Sequence, residues 1–175
     1  MKKKICSIVL LGLFLSGCND YPGHWSNAAV TLTPKPSWDD SINQVVAIGG
    51  DCNIDTINNE LGDGSVSHSV KQSDSTLKVS GWGAISVKGG VVASDIALAM
   101  KSNLAQGDRL FAPTTKGRRP DVADYFKNPA SVDTGFKSEI DLSNLTPGDY
   151  VLEVIQHKDG KSLKCPVTAN IIVEK

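Results

Sequence analysis

From Gln44 onward, apolar and polar residues alternate with the period of two that a half-buried strand requires. Six stretches carry this pattern. Residues 44–48 are short and β-branched. Residues 75–85 carry Leu77, Val79 and Trp82, and 91–100 set Ile96, Leu98 and Met100 between small residues. Phe136, Ile140 and Leu142 share one parity, as do Tyr150, Leu152 and Val154. The last stretch, 163–173, includes Val167 and ends in the run Ile171 to Val173. Asp159-Gly160 between the last two stretches is a hairpin signal. Thr146-Pro147-Gly148-Asp149 is a turn entering a strand. One helical turn is expected over 121–126, where Pro120 suits the first helical position. The polar segment 58–75 reads as a long exposed loop. Short strands with frequent turns imply an all-β fold, an antiparallel β-sandwich of six to eight strands over residues 44–175.

The first 43 residues follow a different pattern. Met1-Lys2-Lys3-Lys4 is a positive start, Ile5 to Leu15 an apolar run, and Leu15-Ser16-Gly17-Cys18 a small-residue end. Together these spell a secretory signal. Eleven residues of helix cover only about 16 Å, against about 30 Å of bilayer hydrocarbon. The ending resembles the lipobox of bacterial lipoproteins. That resemblance implies a signal peptide over 1–17, a diacylglycerol on the Cys18 thiol, and an acylated new N-terminus, palmitate included. Several acyl chains anchor stably where one is marginal. Within that family, Asn19 after the cysteine, where Asp would mean inner-membrane retention, implies the outer membrane. Residues 18–43, broken by Pro22, Gly23, Pro34 and Pro36, read as a tether. Trp25 or Trp38 is expected to dock on the domain as a local staple.

Composition narrows the partners. Three of the 18 Lys and Arg leave with the signal, so 15 face 19 acidic residues and the net charge is near −4. Nucleic acid, which calls for a basic stripe, is excluded. Cys6 leaves with the signal, and Cys52 and Cys165 remain beside Cys18. In an oxidising compartment they are expected to form a disulfide.

Catalytic and metal motifs are tested and fail. Asp51-Cys52-Asn53-Ile54-Asp55 begins like a calcium loop, but the required Gly and Glu positions hold Thr56 and Gly62. His24, His68 and His157 show no metal-ligand spacing. Asp39-Asp40 reads as a solvated pair, and no Gly-x-Ser-x-Gly elbow is present. No cofactor or metal is expected, and an enzyme is not. The segment from Arg118 to Tyr125 stands apart. Arg118, Arg119, Asp121 and Tyr125 combine charge with an aromatic on a loop, and loops on rigid scaffolds carry binding. The alternative at this point is that Arg119 and Asp121 only brace that loop.

Several pieces recur in order over 80–156: Ser80-Gly81-Trp82-Gly83-Ala84, then Ala93, Asp95 and Ala97, then Arg119-Pro120-Asp121-Val122-Ala123 with Tyr125-Phe126 and Asn128-Pro129. Thr134-Gly135-Phe136, Asp141-Leu142-Ser143, Leu145, Gly148 and Tyr150 follow. This series resembles a small Ig-like β-sandwich module of bacterial envelope proteins concerned with surface-polysaccharide modification. The resemblance implies the Ig-like form of the sandwich and an envelope setting. It supplies no catalytic residue, because the multi-pass membrane region of those proteins is replaced here by the expected lipid anchor. Trp82 is expected in the core, with Gly81 and Gly83 giving it room. Gly148-x-Tyr150 resembles the tyrosine corner of Ig-like sandwiches.

The function expected on these grounds is a non-enzymatic lipoprotein of the cell envelope, a binding module for a surface polysaccharide or an envelope protein. Two further readings are an accessory enzyme of envelope glycan modification and a prophage-encoded surface lipoprotein that interferes with phage receptors. The sequence sets no oligomeric state.

Overall fold

The computed structural model of the chain describes residues 28–38, 47–62, 64, 66–74, 76–103 and 109–175. The signal segment, Cys18, His24, Trp25 and Asp39-Asp40 lie outside the described residues.

In chain order the elements are β1 (Ala47–Ile48), β2 (Asp51–Ile57), β3 (Glu60–Leu61), β4 (Ser67–Lys71), β5 (Thr76–Ser86), β6 (Val91–Val92), β7 (Asp95–Ser102), β8 (Arg109–Pro113), β9 (Thr115–Gly117), α1 (Pro120–Tyr125), β10 (Gly135–Asp141), β11 (Gly148–Lys158) and β12 (Lys161–Glu174). They form two packed sheets. One, the β11 sheet, runs β1-β12-β11-β7-β8 with β4 also beside β12. The other, the β5 sheet, runs β3-β2-β5-β10-β9 with β6 beside β5. The expected all-β sandwich is therefore what forms. Its strands are more numerous than expected, and β1 and β4 lie parallel to β12.

The inner faces follow the predicted parities. Leu77, Val79, Phe136 and Ile140 of the β5 sheet meet Leu98, Met100, Leu152, Val154 and Ile171 of the other. Each such side chain contributes roughly 1.5–3 kcal/mol on full burial. Trp82 departs from expectation. It follows Leu77, Val79 and Gly81 at the opposite parity, so it lies on the outer face of its sheet. The room at Gly81 goes to Phe136, its cross-strand partner. A Cβ on Gly81 would stand 2.2 Å from the Asn53 carbonyl oxygen and 2.7 Å from Phe136 Cζ.

The segment 58–75 is not one exposed loop. Asn58 and Asn59 have φ of 49° and 68°, which their short polar side chains tolerate. They turn β2 tightly into β3, with Ile57 opposite Glu60. β4 then pairs with β12 from Asn170↔Ser67 to Glu174↔Lys71. Asp159 and Gly160, at φ 51° and 71°, make the expected hairpin turn between β11 and β12. The tyrosine corner also forms, with the Tyr150 hydroxyl donating to the Thr146 carbonyl at 2.6 Å. Burial raises the pKa of that phenol.

Ordered structure reaches back into the segment expected to be tether. Val30 N donates to Glu139 O at 2.7 Å, and Asp141 N to Val30 O at 2.9 Å, alongside β10. Thr33 exchanges two backbone bonds with Phe111 on β8, at 2.7 and 2.9 Å. Trp38 then packs over Ala97, Ala99, Phe111 and Ile155 on the outer face of the β11 sheet. Its ring stacks on His157 at 5.4 Å. Residues 28–38 are thus a strap that joins both sheets along one flank, so the domain begins before residue 44. On the same flank the main chain changes sheets at Thr114, between β8 and β9. On the opposite flank Cys52 of β2 and Cys165 of β12 form the expected disulfide, with Cα atoms 6.2 Å apart.

Candidate partner-binding corner

Between β9 and β10 the chain leaves the β5 sheet and folds back over its outer face. Pro120 opens α1, and Lys127 at φ 54° ends the turn that follows it. The short helix is held by burial on one side. Val122 packs with Ala84 and Val87, and Phe126 meets the Trp82 ring edge-on at 5.7 Å. The outward Trp82 is therefore the floor on which this corner sits. Asn128 Nδ2 donates to the carbonyls of Val87 and Lys88, both at 3.0 Å, and Ser131 Oγ donates to Val87 O at 2.8 Å. These bonds pin the turn after β5 to the corner. The Asn128 side-chain oxygen accepts from Ala130 N, capping the next turn.

The four residues singled out from the sequence divide into two pairs. Arg119 is buried, and its guanidinium is engaged by the protein's own carboxylates. Nε and Nη2 donate to Asp121 at 2.8 and 2.6 Å, and Nη1 donates to Asp55 of β2. Burial by itself would lower the Arg119 pKa, but the bonds and charges of Asp121 and Asp55 reverse that and hold it above its ordinary value. Its hydrogen bonds hold the Asp121 carboxyl below the usual range, against a smaller opposing effect of burial. This geometry is a brace between the corner and β2. Arg119 and Asp121 thus form the brace that the sequence left open as the alternative, with the Asp121 side chain still 62% exposed.

Arg118 and Tyr125 face outward. The Arg118 side chain is 76% exposed and comes no closer than 3.9 Å to Asp133. Exposed pairs of that kind contribute little. Tyr125 is 79% exposed, yet its ring is set edge-on to Phe126 at 4.9 Å. Adjacent arginines thus differ in role because only one of them meets Asp55, a residue far away in sequence.

Two other features, one polar and one mostly apolar, escaped the sequence reading. Glu153 is buried in β11, but Arg109 Nε at 2.7 Å and Lys164 Nζ at 3.2 Å neutralise it. A cleft of about 430 Å³ lies between the strap and the sheet, bordered by Val30, Pro36, Trp38, Ala97 and Phe111. No carboxylate, imidazole or thiol is among the described residues lining it. Among the described residues no cluster of three His, Cys, Asp or Glu could hold a metal ion.

Comparison with protein-family models, with curated proteins and with solved structures finds no match to this chain. The functional reading therefore rests on the corner itself.

Proposed function

We propose that this chain is a non-enzymatic, lipid-anchored protein of the bacterial envelope, at the outer membrane, whose sandwich presents Arg118 and Tyr125 to a surface polysaccharide. The observation that carries the reading is an exposed Tyr125 ring and an exposed Arg118 on a corner held by buried packing and the Arg119 brace. An aromatic face with a polar tip suits a sugar ring, and a guanidinium suits the carboxylates or phosphates of an acidic glycan. Preorganisation of the corner keeps the ordering cost of binding low. The anchor follows from the lipobox resemblance at Cys18.

The test is binding of the full-length protein to purified acidic envelope polysaccharide. Arg118→Ala and Tyr125→Ala should each weaken binding about tenfold, the size typical of an interface anchor, at unchanged melting temperature. Full binding by the double variant would refute the site. Retention only of an envelope protein, with no polysaccharide bound, would reassign the partner. Separately, Cys18→Ser should abolish palmitate labelling, and normal labelling of that variant would end the lipoprotein reading.

A further inference from the structure

An edge strand offers unpaired peptide groups to any second strand, and proteins guard such edges with lysines, prolines, bulges or covers. β4 is an edge strand of the β11 sheet, paired on one side by β12. Among the described residues nothing pairs with its other side. It contains no proline and no bulge, and its lysine, Lys71, stands at the last position. Its outward side chains are the exposed Ser67, Ser69 and Lys71. Four large hydrophobic residues are left exposed among those described, and three of them fringe this flank. Ile48 of β1 is 69% exposed, Leu61 of β3 81%, and Val66, which leads into β4, 54%.

We propose that β4 pairs antiparallel with β4 of a second copy, about a twofold axis through Ser69. The strand is self-complementary in this register. Ser69 faces Ser69, His68 faces Val70, and Ser67 faces Lys71, so all five residues pair. The two Lys71 side chains then lie four residues apart, about 13 Å at the rise of a strand, beyond the roughly 8 Å screening length of physiological salt. Moving the axis one residue toward Lys71 would bring them within about 7 Å of each other. A twofold contact of this kind closes on itself and leaves neither copy's β4 edge open. The exposed Val66 leads directly into the seam. This inference does not depend on the polysaccharide reading, since the Arg118 and Tyr125 corner is built on a different part of the fold.

The test uses the full chain in detergent. Ser69→Cys should cross-link as a disulfide dimer under oxidising conditions, because facing strand residues lie within the roughly 7 Å Cα limit of a disulfide. Ser67→Cys should not, because its copies stand about 13 Å apart in this register. Ser69→Lys sets like charges face to face, and its mass by light scattering should fall from two copies to one while far-UV circular dichroism is unchanged. A wild-type chain that stays single at every concentration would overturn the proposal, leaving the edge to an extended segment of another protein. Equal cross-linking at Ser67 and Ser69 would overturn the register and the twofold with it.

Discussion

Along the flank where β8, β9 and β10 end, the strap pairs backbone to backbone with both sheets through Val30 and Thr33. Along the flank of β1, β3 and β4, the sheets are joined by the Cys52–Cys165 bond, and among the described residues no strand pairs with the outer edge of β4. The difference separates two tasks that are easily run together. A strap satisfies edge peptide groups, but ordering it costs roughly 1–2 kcal/mol of backbone entropy per residue, and it holds only while Trp38 and its neighbours stay packed. A disulfide holds two sheets together by constraining the unfolded chain and satisfies no peptide group at all. One flank is therefore covered but able to open locally, while the other is locked, with its β4 edge unpaired among the described residues.

The largest expected effect is on the locked flank. Replacing both Cys52 and Cys165 by Ala should cost up to about 4–5 kcal/mol in the chain-entropy view for a loop of this length, read as a shift in the urea midpoint. A loss below about 1 kcal/mol would break the comparison, because packing alone would then be holding that flank. On the strapped flank, Trp38→Ala should cost about 2 kcal/mol, less than the 3–5 of a fully buried aromatic. Hydrogen exchange should quicken at Phe111 and Asp141 and not at β12. If exchange at those two amides is unchanged, the strap does not depend on its tryptophan. Val30→Pro deletes one donor to Glu139 and should cost about 1 kcal/mol, visible as a small drop in melting temperature.

The smallest effect concerns the Arg119 brace, which ties the corner to β2 on the locked flank. Asp121 has its pKa lowered from 3.8 in the fold. Its contribution is present above that ordinary value and is lost as pH falls below it toward the lowered one. Asp121→Asn should therefore flatten the acid limb of the stability profile and leave neutral pH behaviour to the remaining Asp55 contact. An unchanged acid limb would show that the brace works through Asp55 alone.

Much of this fold was legible because long strands with one buried face leave a period-two signature. β5, β7, β10, β11 and β12 all do so, and the Asp159-Gly160 turn joins the last two. β4 escaped because its inward positions are only His68 and Val70, too few to stand out among serines. β8 escaped because Leu110-Phe111-Ala112 is an unbroken apolar run in a strand covered on both faces. The strap escaped because Pro34 and Pro36 read as breakers, whereas an edge segment can pair at Val30 and Thr33 and leave both prolines beyond those bonds. Trp82 sits at the parity opposite to Leu77 and Val79, and its apolar bulk is partly buried by the corner that folds over the outer face, a partner that the strand pattern alone does not reveal. At the corner, the sequence showed charge beside an aromatic, but nothing local distinguishes Arg118 from Arg119. That distinction depends on Asp55, which only the closed sandwich brings near.

The strap also has a mechanical meaning. A pull that reaches the strap acts at Val30 and Thr33 on isolated backbone pairs that can be peeled one at a time. Once the strap is stripped, the chain can pay out only as far as Cys52, about 75 Å from Val30 at full extension. Beyond that point the load passes through a covalent bond into β12, the longest of the described strands. The strap thus acts as a sacrificial extension, and the Cys52–Cys165 bond is its hard stop.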